Sequence, residues 1–167
     1  MNTSVDVIRD MHAHRIWARQ KLLAAARGLD QARVTEDMNM GRGSLLFTIA
    51  HLLEAETVWI EALEGQSGRA VDDARYGSLD AVEQAWTATD ARWTTYLDSL
   101  TEERLSAKIE RFSGALQRTY VLLARDALVH VCTHQMYTAA QAANMIKRLG
   151  GAAPAMDFAW WAMEQQR

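Results

Sequence analysis

The sequence has very little of what interrupts or crosslinks a chain. It contains one proline, Pro154, and one cysteine, Cys132, among 167 residues. So little proline permits long uninterrupted helices, and a single cysteine excludes an internal disulfide and fits a reducing cytoplasm. The N-terminus lacks the apolar stretch of a signal peptide, and no run of about 18 apolar residues predicts a membrane span. We therefore expect a cytoplasmic protein without a membrane segment.

An excess of positive charge is also missing. Lys and Arg total 18 against 21 Asp and Glu, which gives a formal net charge of -3 with both signs interspersed. Proteins that bind nucleic acid draw much of their affinity from basic side chains on phosphates, so we expect no nucleic-acid partner. With 49% hydrophobic residues, the length fits a single folded domain over residues 1–167.

Apolar residues recur at helical spacing in four long segments. Thr3, Ser44 and Ser78 are capping candidates at the starts of the first three segments, and glycines follow the ends of the first two. The fourth segment is predicted to run from about residue 119 to residue 149. Four long amphipathic segments of this kind are typical of an up-down four-helix bundle.

Two stretches depart from this pattern. The segment "KIERFSG", residues 108–114, alternates in a way that predicts a short extended piece. The aromatic cluster after Pro154 predicts a short C-terminal helix that packs back on the bundle. The fold prediction is therefore all-α, a four-helix bundle with a short C-terminal helix.

Histidines are the first candidates for chemistry. His130 and His134 lie four residues apart, so in a helix they point the same way, and His51 lies on the predicted inner stripe of the second helix. Three imidazoles from two helices are suited to bind one divalent metal and leave a coordination position open. The alternative is a polar core network in which the histidines are hydrogen-bonded and no metal is bound.

Three further residues are candidate catalytic groups, each with a structural alternative. Glu54 follows His51 by one helical turn and is either a base or a hydrogen-bond acceptor. Tyr137 is either a proton donor or an aromatic that packs between helices. Gln141 either orients a ligand or makes an ordinary interhelical hydrogen bond.

Four other residues are assigned less weight. His14 is either a fourth ligand or a base on the first helix, whereas His12 and Glu56 are expected at the surface. Cys132 lies two residues from both His130 and His134, so it points elsewhere and is expected to be a small buried hydrophobe.

Four segments together resemble the DinB/YfiT-like superfamily of four-helix metalloproteins, over nearly the whole chain. They are "HRIWARQKLL", "GSLLFTIAHLLEAETVWIEALEG", "LLARDALVHVCTHQMYTAAQAANMIKRLGG" and "PAMDF". The second has a histidine shortly before an acidic residue and a tryptophan. The third has two histidines four apart and a leucine-glycine end. The resemblance implies a homodimer and a divalent metal, nickel or zinc, held by three histidines.

The resemblance assigns His51 as one ligand and leaves two assignments for the others. In the first, His130 and His134 complete the set. In the second, the inherited pair is His134 and position 138, where many members have "HRGQ" and this chain reads "TAAQ". Because a threonine hydroxyl is a poor ligand for zinc or nickel, the second assignment predicts that Thr138 has weakened or abolished metal binding.

Two functions remain open. The resemblance implies a metal-dependent enzyme, either a transferase or isomerase that uses a low-molecular-weight thiol on a small electrophile, or a hydrolase that activates water. The alternative is a non-catalytic, stress-related dimer that binds a metal or ligand through a degenerate site. The sequence contains no G-x-S-x-G, phosphate-binding loop or dinucleotide motif, so chemistry would have to come from the metal or a bound thiol.

Overall fold

The computed structural model describes residues 3–66 and 69–166, and most of them are helical. The elements are α1 (Ser4–Arg27), α2 (Leu45–Leu63), α3 (Leu79–Asp98), α4 (Glu102–Leu105), β1 (Lys108–Ser113), β2 (Arg118–Leu123), α5 (Ala124–Arg148) and α6 (Phe158–Gln165). A 3₁₀ turn covers Asp73–Arg75. The predicted short helix after Pro154 is confirmed as α6.

The predicted caps begin the first three long helices. Thr3 and Asp6 form a reciprocal capping box at the start of α1. The Ser44 hydroxyl accepts from the Phe47 amide at the start of α2, and Ser78 accepts from the Ala81 amide at the start of α3. Each side chain satisfies an amide that the first helical turn leaves without a partner.

A β-hairpin corrects two predictions. β1 pairs antiparallel with β2, in a register that places Lys108 opposite Leu123 and Ser113 opposite Arg118. The extended piece is confirmed, but α5 begins at Ala124 rather than near 119, and the chain is not all-α. The stretch "RTYVLL" is rich in β-branched and aromatic residues, which favour a strand once β1 offers a partner.

The four long helices form a closed ring of contacts. α1 packs on α5 and α3, and α2 packs on the same two helices from the other side. α2 also contacts β1 and the 3₁₀ turn, so 15 of its 19 residues are buried. A polar side chain on the buried part of α2 therefore needs a partner inside the protein. Within the described residues, no helix has both the length and the apolar character needed to cross a membrane.

Two residues expected at the surface are fully buried. Glu56 is 0% exposed and is in contact with Arg15, Arg19 and Gln135. The Trp86 indole N–H donates to the same carboxylate at 2.9 Å. Arg15 pairs closely with Glu56, although its N–H groups are not aligned for a hydrogen bond. The expectation of a solvated Glu56 is wrong because α2 is enclosed on all sides.

His12 is the other residue that was expected at the surface, and it too is 0% exposed. Its Nε2–H donates to the Leu128 carbonyl at 3.2 Å, and its ring lies 4.9 Å from the Trp93 ring. Burial, and then the charge of Arg15, holds the pKa of His12 well below the ordinary 6.5. His12 is therefore neutral in the folded protein at neutral pH.

This depressed pKa makes stability depend on pH in a defined direction. The unfolded chain takes up a proton on His12 near pH 6.5 and the folded chain does not, so the stability it contributes is lost as pH falls below 6.5. Between pH 7 and pH 5.5 this amounts to about 1 kcal/mol. In urea unfolding at both pH values, we expect His12→Gln to show a pH difference smaller by that amount. Equal differences in parent and variant would contradict this assignment.

Candidate functional site

His51 is held in place by a carboxylate from the loop after α2. Its Nδ1–H donates to Oδ1 of Asp73 at 2.9 Å, and Oδ2 of Asp73 accepts from Nε of Arg42 at 2.5 Å. Burial alone would raise the pKa of Asp73, but the hydrogen bond and charge of His51, with those of Arg42, bring it below its ordinary value. With Nδ1 used in this way, Nε2 of His51 is left as the nitrogen available to a ligand.

The structure brings the three candidate histidines into one chain of rings. The His51 and His134 ring centroids are 5.2 Å apart, and those of His134 and His130 are 5.6 Å apart. His130 also rests against Trp59 of α2, with centroids 4.8 Å apart. The predicted meeting of α2 and α5 at their histidines is therefore observed.

The imidazoles of α5 are electrostatically suited to stay neutral. Burial, followed by the charges of His51 and His130, lowers the pKa of His134 to about 4. Burial and then the charge of Arg111 lower the pKa of His130. Nδ1 of His134 is buried without a hydrogen-bond partner in the described part of the chain. Neutral imidazole with a free nitrogen is the form that binds a metal.

The types of donor group at this site suit a divalent metal, but their present positions do not. Three imidazoles, one backed by a carboxylate, are a suitable ligand set for zinc or nickel. However, no group of three or more His, Cys, Asp or Glu side chains among residues 3–66 and 69–166 is arranged to hold a metal ion. The rings would have to turn toward one point for all three to bind.

Glu54 anchors the loop that carries Asp73. Its buried carboxylate accepts from Nη1 of Arg69 at 2.6 Å, from the Asp72 amide at 3.1 Å and from the Tyr76 hydroxyl at 2.9 Å. Those partners lie on both sides of Asp73 in sequence. Of the two roles considered for Glu54, the contacts are those of a hydrogen-bond acceptor that fixes the loop.

The other two catalytic candidates, Tyr137 and Gln141, both lie on α5. Tyr137 is 71% exposed and lies on the outside of α5. Gln141 lies near Gly41, where a Cβ would come within 3.2 Å of its Oε1 and 2.9 Å of the Thr48 hydroxyl. Gly41 also has φ +55°, so glycine suits this position in both respects. Thr138 is buried in α5.

The contacts of His14 and Cys132 indicate structural rather than catalytic roles. His14 is buried, and its Nε2–H donates to the Met156 carbonyl at 2.8 Å while Phe158 and Trp161 pack around the ring. It fixes the C-terminal segment rather than facing the histidine chain. Cys132 is buried as expected, and burial raises the pKa of its thiol to about 12, so it is not a nucleophile.

A cavity of about 440 Å³ opens beside His51. The hairpin and the loop before α3 form its walls, and its polar lining includes Arg42, Arg111 and Tyr120. Sequence reasoning missed Asp73, Arg42 and Arg111 because they lie in loops and a short strand without a motif. The one available signal was the acidic pair "DD" in an otherwise ordinary loop.

The fold and the site define a class: a mainly helical protein in which histidines of two long helices lie side by side and one of them, His51, lines a cavity. The DinB family model matches residues 1–167, so the chain belongs to the DinB family. A DinB-like protein from Bacillus cereus ATCC 10987 is similar in fold, with a TM-score of 0.67, 12% identity, and coverage of 87% of this chain and 94% of that chain.

A DinB-like protein from Bacillus subtilis has a TM-score of 0.63 and 16% identity, and the match covers 88% of this chain and 96% of that chain. At these identities the likeness shows the fold alone. No curated protein matches the chain.

Proposed function

We propose that the protein is a divalent-metal-dependent enzyme built on an up-down four-helix bundle, with His51, His130 and His134 as the metal ligands. The observation that supports this most is the chain of three rings at 5.2 and 5.6 Å, which begins at a histidine oriented by Asp73. A carboxylate behind a ligating histidine fixes its tautomer and its ring orientation. The metal would be nickel or zinc.

The proposed reaction is transfer of a low-molecular-weight thiol to a small electrophile. In such a site a divalent metal would lower the pKa of a bound thiol, so that thiolate would be available at neutral pH. Asp73 holds His51, Glu54 holds the loop of Asp73, and the 440 Å³ cavity beside His51 has room for the electrophile. A hydrolase at the same site is the close variant of this proposal.

The competing proposal is a non-catalytic, stress-related protein that binds a metal or ligand. It is favoured by the ring nitrogens, which do not converge in the described residues, and by Thr138, at a position where the resemblance implies a histidine in many members of the family. A homodimer and a cytoplasmic location stay predictions. Exposed apolar side chains on α1 and α5, such as Val7 and Val129, favour the homodimer.

Elemental analysis of protein purified without a polyhistidine tag tests the metal site, and an assay of thiol transfer separates the two proposals. We expect near-stoichiometric nickel or zinc in the parent, and loss of that metal in His51→Ala and in His134→Ala. His14→Gln removes a histidine that is not one of the three proposed ligands, so this variant should retain the metal. Thiol transfer to a small electrophile should be lost together with the metal in His134→Ala.

Thr138→His provides the decisive comparison. If the parent binds neither ion after incubation and Thr138→His does, position 138 marks a lost ligand and the enzymatic proposal fails. If the parent binds metal and Thr138→His changes its affinity little, the ligand set with His130 is supported.

A further inference from the structure

In the described part of the chain, Arg111 is a buried cation without an acidic partner. Its side chain is 8% exposed, and its Nε has no hydrogen-bond partner within residues 3–66 and 69–166. Nη1 donates to the neighbouring Phe112 carbonyl. Glu61, an acidic side chain whose charge reaches Arg111, is already bound to Arg69 at 2.9 Å. Burying a guanidinium in this way is unfavourable unless an anion compensates it.

The position of Arg111 indicates a role in the candidate site rather than in stabilising the fold. It lines the 440 Å³ cavity together with His51, and its guanidinium lies 5.5 Å from the Trp59 ring. Trp59 in turn packs on His130, with ring centroids 4.8 Å apart. Arg111 is therefore close to the histidine rings and open to the same space.

The rest of the cavity lining, as far as the structure describes it, offers no negative charge to balance Arg111. Arg42 is the second cation there, but Asp73 at 2.5 Å already balances its charge. None of the side chains that line this cavity in the described part of the chain is acidic. The uncompensated charge is that of Arg111. A guanidinium presents a planar set of donors that matches a carboxylate.

We infer that Arg111 binds an organic carboxylate, so that the cavity beside His51 takes a small molecule bearing this group. The inference deepens the proposed function, on which it rests for the identity of the reacting partners. The carboxylate belongs either to the electrophile or to the thiol. Arg111 positions that molecule against His51. The bound carboxylate in turn compensates the positive charge of Arg111.

Calorimetric titration of metal-free protein tests this inference independently of the metal site. The protein is stripped with 1,10-phenanthroline, an uncharged chelator, and titrated with succinate, with S-methylglutathione, and with uncharged succinamide. We expect binding of at least one carboxylate, no binding of succinamide, and at least tenfold weaker binding in Arg111→Gln. Arg118→Gln removes the same charge from an exposed position of the same hairpin and should bind like the parent.

Arg111→Lys covers the case in which Arg111→Gln fails to fold. It keeps the charge and loses the planar donor set, so binding should again be weaker while circular dichroism and thermal unfolding stay close to the parent. A response to succinate assigns the carboxylate to the electrophile, and a response to S-methylglutathione alone assigns it to the thiol. Both outcomes support the inference.

Two results would overturn it. One is a parent protein that binds neither carboxylate. The other is equal affinity in the parent, Arg111→Gln and Arg111→Lys. Because no metal is present in these titrations, a parent that fails to bind nickel or zinc would defeat the proposed function and leave the result for Arg111 standing.

Discussion

Glu56→Ala is expected to lower the free energy of unfolding by about 3–5 kcal/mol, the range for removing one partner from a buried ion pair. Glu56 is 0% exposed, and Arg15 beside it is 1% exposed. Arg19 keeps Asp90 as a partner, at 2.8 and 2.6 Å, so Arg15 is the cation left without compensation. The Trp86 indole loses its acceptor as well, and the Gln135 amide keeps only the Leu52 carbonyl, at 3.4 Å. Urea unfolding followed by circular dichroism measures the difference.

Glu83→Ala is the matched control for Glu56→Ala. Glu83 pairs with Arg27 at 2.8 Å on the surface, where both side chains are partly solvated. Such a pair contributes less than about 1 kcal/mol. Equal losses of stability in the two variants would show that the buried cluster around Glu56 is no more important than a surface pair.

Glu54→Ala has the second large expected effect, because it acts on both stability and the site. The substitution leaves the Asp72 amide and the Tyr76 hydroxyl without their acceptor, which lowers the free energy of unfolding by about 2–4 kcal/mol. Arg69 is one-third exposed and can be rehydrated, so it adds little to this figure. Once the loop is released, Asp73 no longer holds His51, and metal affinity should fall about 10–100-fold.

Limited digestion with trypsin reports on the loop directly. Cleavage after Arg69 and Arg75 should be faster in Glu54→Ala than in the parent. Glu61→Ala is the control, because Glu61 also accepts from Arg69, at 2.9 Å, but does not touch Asp72 or Tyr76. Equal cleavage rates in the two variants would mean that Arg69 alone holds the loop.

Local signals explain why so much of the helical architecture was predictable. A cap is decided within four residues, so Thr3, Ser44 and Ser78 gave correct helix starts. The start of α5 was wrong because Arg118–Leu123 runs directly into the helix without a cap side chain or a glycine. Only the pairing with β1, which lies outside this stretch, shows that it is a strand.

The sequence was enough to predict the histidines of the candidate site, but not the residues that contact or surround them. His130 and His134 share a helical face by spacing alone, and the inner stripe of α2 was enough to place His51 beside them. Asp73 and Arg111 reach the same space through a loop and a hairpin, whose paths no periodicity describes. Glu56 was misjudged because a charge on a helix is normally solvated, and only the packing of α2 shows otherwise.

The two walls of the cavity differ in stiffness. His51 stands on α2, which is enclosed by other elements along most of its length, whereas Arg111 stands on a two-stranded hairpin whose second strand is largely open to solvent. Local opening needs less free energy where fewer apolar groups are buried, so amide exchange should be slow in α2 and fast in the hairpin. If the proposed ligand binds in this cavity, we expect it to enter and leave by a small movement of the hairpin while α2 stays in place.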